Sequence, residues 1–159
     1  MPTKNKPSGL IFDDLAQATT TQSLLSYGVK PYEPKADEEY MSEGQVAHFR
    51  KLLMLWREAL LQGGDETIHD LQTTELSADI SDQATNEETF SLKLKARNRE
   101  RLLIRKIEKS LSLMDNQDYG YCEECGVEIG IRRLEARPTA TLCIDCKTLS
   151  EIRERQQRT

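Results

Sequence analysis

All four cysteines of this 159-residue chain lie in two CxxC pairs, and this spacing constrains the fold more than any other feature of the sequence. Cys122 and Cys125 form the first pair, and Cys143 and Cys146 form the second. Each pair can supply two thiolates to one edge of a tetrahedron, as in structural zinc sites. Gly126 follows the first pair, where a knuckle turn favours a residue that tolerates positive φ. The spacing therefore predicts one structural Zn²⁺, and no catalytic zinc because no ligand position is left for water.

Other uses of the cysteines are less favoured. The N-terminal sequence lacks the apolar core and cleavage site of an export signal, so we expect a cytoplasmic chain whose thiols stay reduced. A thioredoxin-like redox site needs only one CxxC pair and an α/β frame, which this sequence does not predict. Free buried thiols rarely occur as two spaced pairs. No apolar run is long enough to span a membrane, so we expect no membrane association.

The residues before the cysteines carry the apolar spacing of two long helices. In the first, apolar residues recur at alternating steps of three and four: Val46, Phe49, Leu53, Trp56 and Leu60. Ser42 and Gln45 have the spacing of a capping box at its start. Gly63-Gly64 interrupts the stripe and predicts a fraying point or a bend.

The polar segment from Thr73 to Asn86 predicts the turn between the two helices. The second helix is predicted to begin near Thr85, which fits a capping box with Glu88, and to end at Asp115. Its apolar stripe is Phe90, Leu94, Ile104, Ile107, Leu111 and Met114. Neither stripe can stay exposed to water, so the two helices are expected to pair as an antiparallel hairpin about 45 Å long.

Together these patterns predict a mainly α protein, with a long antiparallel two-helix coiled-coil hairpin and a small four-cysteine zinc-finger globular part. We expect residues 1–40 to form an N-terminal arm, docked or partly disordered, and 41–115 to form the hairpin with its tip near 77–86. Residues 116–159 are expected to form the zinc module. A composition of 37% hydrophobic and 31% charged residues suits such an elongated helical chain. Each helix has a partner within the chain, so we expect a monomer.

Charge is distributed unevenly along the hairpin. Residues 65–82 contain six carboxylates and no Lys or Arg, whereas 93–109 contain eight basic residues and two acidic ones. For the basic residues of the second helix, the sequence favours a merely solvated face and a binding face equally. Asp79 and Asp82, three residues apart, would lie together at the end of a narrow rod, although an N-cap role also explains Asp82. His48 and His69 are interpreted as surface or seam residues.

The same residues exclude several functions. A net charge of −5 and the lack of a base-reading helix argue against direct sequence-specific DNA binding. No Ser-His-Asp set, phosphate loop or HExxH pattern is present, so we expect no enzymatic activity.

Four segments resemble the DksA/TraR family of bacterial RNA polymerase-binding transcription factors: EEYMSEGQVAHFRKLL (38–53), DISDQAT (79–85), RKIEKSL (105–111) and GYCEECGVEIGIRRLEARPTATLCIDCKTLSEIRE (120–154). The resemblance runs from about residue 28 to the end and adds a C-terminal helix near 143–157. It implies a regulator that enters the polymerase secondary channel and places the hairpin tip near the active centre. Such regulators destabilise open promoter complexes and act with guanosine tetraphosphate (ppGpp), repressing ribosomal RNA promoters and activating some amino-acid biosynthesis promoters.

The resemblance also implies roles for individual residues. The family's acidic tip pattern falls on Asp79, Asp82 and Ala84. Its ppGpp-binding positions, at a site shared with polymerase, fall on Leu103, Lys106, Arg137 and Lys147. Many members have a proline directly after the first aspartate, whereas this chain has Ile80, and Gly63-Gly64 is also unusual.

Two alternatives remain open from the sequence. A coiled-coil adaptor would need the apolar seam but neither tip aspartate. A Gre-like transcript-cleavage factor would use the tip acids to help hold a metal ion, but those factors lack a zinc module.

Overall fold

The computed structural model describes residues 28–77 and 83–158, and every structural statement below concerns these ranges. They contain four helices: α1 (Glu43–Ser77), α2 (Gln83–Asp115), α3 (Ile131–Ala136) and α4 (Ile144–Gln157). The described residues form no β-strand beyond one isolated antiparallel bridge, between Tyr121 and Glu128. The mainly helical fold predicted from the sequence is therefore confirmed.

Helices α1 and α2 have 35 and 33 residues and pack against each other as a long hairpin. Its seam is filled at the base by Phe49, Leu52, Leu53, Trp56 and Leu60 of α1 and by Ile107 and Met114 of α2, all buried. Farther from the base the predicted stripe opens, because Phe90 and Leu94 are 38% and 46% exposed. The hairpin is thus anchored mainly through its base.

The predicted capping interaction at the start of α1 is present in a modified form. The amide of Gln45 donates to Ser42 Oγ at 3.4 Å, as a capping box requires. The Gln45 side chain accepts a hydrogen bond from the amide of Met41 at 2.8 Å rather than from that of Ser42. These two hydrogen bonds satisfy the backbone amides of Gln45 and Met41 at the start of the helix, where Gln45 is buried.

Helix α1 continues through Gly63-Gly64, and both glycines are buried. Two predictions about the turn of the hairpin are wrong. The turn predicted from Thr73 to Asn86 is too long, because α1 extends to Ser77 and α2 already begins at Gln83. Thr85 is not an N-cap but lies inside α2, where its carbonyl accepts a hydrogen bond from the Thr89 hydroxyl at 2.9 Å. The polar composition therefore located the end of the hairpin but overestimated the length of its turn.

The zinc module packs on the base of the hairpin and shares its core. Tyr119, Ile129 and Leu134 are buried in one cluster with the seam residues of α1 and α2. The Tyr119 hydroxyl donates to the carbonyl of Pro138 at 2.7 Å, and burial raises the pKa of this phenol. The module and the hairpin base therefore form one packed unit.

The segment before α1 ties the hairpin to the module. Val29 is buried in the shared core. The Tyr40 hydroxyl donates to the carbonyl of Gly120 at 2.7 Å and accepts from the amide of Gly130 at 2.9 Å. Residues 28–42 are therefore docked across the module.

Candidate metal centre and basic cavity

The four cysteines converge on one point. Their Sγ atoms all lie within 4.8 Å of one another, and none forms a disulfide. The sulfurs of Cys125 and Cys143 are 3.7 Å apart. A tetrahedral ion with Zn–S bonds of about 2.3 Å requires sulfurs about 3.8 Å apart. The cluster therefore has the spacing that a four-thiolate zinc site needs.

Local backbone structure explains this convergence. After the first pair, Gly126 has φ of +74° and its amide donates to the Cys122 carbonyl at 2.9 Å. The predicted need for positive φ at Gly126 is therefore confirmed. In the second pair, Cys143 is the N-cap of α4, and its sulfur accepts a hydrogen bond from the Cys146 amide. A knuckle turn and a helix start thus aim the two pairs at each other.

The thiols influence one another's ionisation. Burial opposes ionisation of Cys122, but hydrogen bonds from the backbone amides of Cys143, Cys125 and Glu124 outweigh it and lower the pKa of Cys122 to about 6. The neighbouring sulfurs of Cys143 and Cys125 raise the pKa of Cys146. Four thiolates this close repel one another, so a bound cation is needed to keep all four ionised.

A second site lies where α2 meets the zinc module. A cavity of about 320 Å³ is lined by five basic residues: Lys106, Lys109, Arg133, Arg137 and Lys147. Thr139, Ala140, Thr141 and Leu142 complete its wall. Guanidinium and ammonium groups arranged around one concavity are suited to bind a ligand with several phosphates.

Some of these cations are already paired at the rim. Lys109 Nζ lies 2.7 Å from Glu123 Oε1, and Lys147 Nζ lies 3.7 Å from Glu151 Oε1. In the described structure Lys106 and Arg137 form no ion pair. The cavity therefore keeps positive charge that its own carboxylates do not neutralise.

The structure brings together three of the four residues that the resemblance implies for ppGpp. Lys106 comes from α2, Arg137 follows α3, and Lys147 lies in α4, yet all three line the same cavity. Leu103 does not line it; this side chain is half-buried against the shared core. Asp79 and Asp82 lie outside the described residues, and Ala84 lies in the first turn of α2.

Sequence reasoning missed the pair formed by His48 and Glu135. His48 Nε2 lies 2.8 Å from Glu135 Oε1, and the same oxygen accepts a hydrogen bond from the Tyr32 amide at 2.7 Å. The side chains of His48 and Glu135 are 13% and 9% exposed. His48 and Tyr32 lie 87 and 103 residues from Glu135 in the sequence, so no local pattern could reveal these contacts. Sequence reasoning also missed Lys109 and Arg133 as cavity residues.

None of the helices in the described ranges has the length and apolarity needed to cross a bilayer.

Comparison with known families agrees with this fold and site. Residues 45–114 match the DnaK suppressor protein DksA, N-terminal domain, and residues 117–151 match the prokaryotic dksA/traR C4-type zinc finger. These two matches cover most of the hairpin and the four-cysteine cluster. The chain belongs to the DksA family of zinc-finger transcription factors, which are not enzymes.

Individual relatives are similar over most of their length. The chain is 56% identical over 140 residues to the RNA polymerase-binding transcription factor DksA of Escherichia coli (strain K12), covering 87% of this chain and 93% of that protein. It is 57% identical over 136 residues to the factor of the same name from Haemophilus influenzae, covering 84% and 94%. The solved structure of transcription factor DksA2 from Pseudomonas aeruginosa is 38% identical, with a TM-score of 0.71, covering 85% and 98%.

Proposed function

We propose that this protein is a cytoplasmic, monomeric transcription regulator that binds RNA polymerase through its secondary channel. The hairpin tip acts near the polymerase active centre and destabilises open promoter complexes. Support comes from relatives more than 50% identical that are named RNA polymerase-binding transcription factors, together with a hairpin long and narrow enough to enter a channel. The hairpin seam is occupied within the chain, which favours a monomer.

In this proposal the four cysteines hold one structural Zn²⁺ ion. The thiolates of Cys122, Cys125, Cys143 and Cys146 are the ligands, and the ion supplies only cohesion to a module with few core residues of its own. Its role is to fix α3 and α4 relative to the hairpin base, so that Arg137 and Lys147 face Lys106.

The cavity is the observation that carries the nucleotide part of the proposal. We assign it as this chain's half of a ppGpp site shared with polymerase. Arg137 can contact a phosphate through two N–H groups, and Lys106 and Lys147 act as point charges. Neither Lys106 nor Arg137 is neutralised by a carboxylate within the described residues, so both are available for phosphate. With ppGpp the regulator represses ribosomal RNA promoters and activates some amino-acid biosynthesis promoters.

The acidic tip is the second acting part. In this proposal Asp79 and Asp82 supply carboxylates, and Ala84 is the small residue of the tip pattern, at the end of the rod that reaches the active centre. Their charge acts on the transcription complex by differential binding to its conformations, without a chemical step.

The tip is tested by transcription from a ribosomal RNA promoter with purified bacterial holoenzyme. Wild type is compared with Asp82→Asn, and competition binding measures how much of each protein occupies polymerase. The proposal expects Asp82→Asn to occupy polymerase normally and to lose inhibition. Normal inhibition by Asp82→Asn would contradict the tip mechanism. Wild type that binds polymerase without altering transcription would place the protein among coiled-coil adaptors.

The nucleotide site is tested in the same assay with added ppGpp. Lys106→Ala is expected to keep basal inhibition and to lose the additional inhibition that ppGpp gives to wild type. Lys51→Ala, an exposed lysine of α1 away from the cavity, is the matched control and should respond as wild type does. A full ppGpp response in Lys106→Ala, or an equal loss in both variants, would contradict the cavity assignment.

A further inference from the structure

The apolar seam of the hairpin is interrupted by charge at its middle. On α2, Ile104, Ile107, Leu111 and Met114 follow one another at steps of three, four and three. Seven residues before Ile104 and Ile107 the same two seam positions are held by Arg97 and Glu100. These side chains are only 16% and 12% exposed, and they form an ion pair of 3.3 Å. A polar layer therefore lies where the heptad pattern expects apolar side chains.

The guanidinium of Arg97 occupies the space beside Gly64. A Cβ atom built on Gly64 would lie 1.7 Å from Arg97 Nη1 and 2.7 Å from Cζ. Both distances are below 3.0 Å, so a residue larger than glycine fits only if the guanidinium at the end of the Arg97 side chain moves away. Gly64 is thus the hole on α1 into which the charged group of α2 inserts.

Neither residue is favoured by local energetics. Glycine is the weakest helix former apart from proline, and Gly64 lies in the interior of a 35-residue helix. Withdrawing a guanidinium from water is unfavourable, and Arg97 Nε makes no hydrogen bond to any described protein group. Gly64 and Arg97 are each unfavourable alone, but the Arg97 guanidinium can lie beside Gly64 because glycine has no side chain. Polar groups in a coiled-coil seam are known to specify register.

We propose that Gly64 and Arg97 form an interlock that sets the register of α1 against α2 and so positions the distal half of the hairpin. Glu100 holds the guanidinium over the glycine. The seam beyond this point is open, because Phe90 and Leu94 are partly exposed, so apolar packing there restrains the hairpin weakly. Gly64 and Arg97 are therefore positioning residues for the tip, a role that rests on the proposed function of the tip.

A thermal-unfolding cycle on the full-length, zinc-loaded protein tests the interlock through a change of sign. The variants are Gly64→Ala, Arg97→Ala and the double variant, with Arg101→Ala, an exposed arginine of α2, as the control. Alanine is the better helix former, so Gly64→Ala should raise the melting temperature wherever nothing opposes it. With Arg97 present we expect Gly64→Ala to lower the melting temperature, and in the Arg97→Ala background we expect it to raise it.

The comparison remains decisive if Gly64→Ala alone does not fold, because the interlock then requires the double variant to fold. An effect of Gly64→Ala that is the same in both backgrounds, whatever its sign, would overturn the interlock. In the Arg101→Ala background we expect the same loss on Gly64→Ala as in wild type. A reversal of sign there as well would also overturn it, since Arg97 would not be the residue responsible.

Positioning is tested separately by measuring a distance. Spin labels are attached through ketone-bearing residues at exposed positions 87 and 132, which leaves the cysteines untouched. We expect a narrow distance distribution in the wild-type background, a broadened or shifted one in Gly64→Ala and an unchanged one in Arg101→Ala. An unchanged distribution in Gly64→Ala would overturn the positioning role. If the cycle and distances come out as expected but Gly64→Ala inhibits transcription normally, the interlock stands and the proposed tip mechanism fails.

Discussion

Glu135 joins three parts of the chain through a single buried carboxylate. It accepts from the Tyr32 amide before α1 and contacts His48 on α1, while itself lying on α3. Removing it leaves buried polar groups without partners, and each such group costs about 1–3 kcal/mol. At the scale of single residues this contact ties the zinc module to α1 and to the segment before it.

We expect Glu135→Ala to lower the free energy of unfolding by about 3 kcal/mol, because both Tyr32 and His48 lose their acceptor. Glu135→Gln keeps an amide oxygen in the same place and should cost only about 1 kcal/mol. Denaturant titration of the zinc-loaded proteins followed by circular dichroism measures both values. Equal losses in the two variants would mean that charge, rather than hydrogen bonding, holds the contact.

Gly126 offers a second test at the residue scale. Its φ of +74° is unfavourable for side-chain-bearing residues, although a Cβ there would meet no atom within 4 Å. We expect Gly126→Ala to weaken zinc binding about tenfold through backbone strain alone. Gly126→Asn should lose less, because asparagine tolerates this conformation better. Competition with a zinc chelator measures the affinities, and equal losses would contradict a conformational cause.

At the scale of the helices, apolar spacing predicted the features that depend on residues close together in the sequence. The apolar spacing of α1 identified the seam, since Phe49, Leu53, Trp56 and Leu60 are all buried. The same reasoning could not reveal that Arg97, on the other helix, occupies the space beside Gly64. It also placed a turn over residues 73–77, which form the end of α1 despite their polar composition.

The site shows the same division between local and long-range information. The CxxC spacing was sufficient to predict the four-cysteine cluster, because each pair is defined by its own short turn. The basic cavity is formed by side chains from α2, the α3–α4 connection and α4, and only the family resemblance brought Lys106, Arg137 and Lys147 together in advance. Lys109 and Arg133 line the cavity because of tertiary packing, which no sequence spacing predicts.

The two halves of the hairpin should respond differently to truncation. Leu53 is fully buried at the base, and we expect Leu53→Ala to lower the free energy of unfolding by about 3 kcal/mol. Leu92 on α2 is 59% exposed, so Leu92→Ala should change it by less than about 0.5 kcal/mol. Denaturant unfolding of both variants provides the comparison. A loss at Leu92 as large as that at Leu53 would show that the distal half is packed as tightly as the base.

At the scale of the whole molecule, zinc and the hairpin contribute separately to order. Helices α1 and α2 contain 35 and 33 residues, against 6 and 14 in α3 and α4. The seam at the base is filled by apolar side chains of α1 and α2, and we expect it to persist without the metal. Removal of zinc by a chelator should therefore abolish protection of backbone amides from hydrogen exchange in residues 121–146 and preserve about three quarters of the helical circular dichroism.

Hydrogen exchange followed by mass spectrometry on the zinc-loaded and zinc-free protein measures this difference segment by segment. Restoration of protection on adding Zn²⁺ back is the control for irreversible damage. Loss of helical signal from α1 and α2 together with the module would instead mean that the hairpin folds only when the metal is bound.

The proportions of the hairpin have a mechanical consequence. A helix of 35 residues is about 52 Å long, so a tilt of about 6° at its base moves its far end by about 5 Å, more than the width of a side chain. Tyr40, His48 and Glu135 form hydrogen bonds at or near this base. The base is therefore the fulcrum of a long lever, and small angular errors there are multiplied into misalignment at the opposite end.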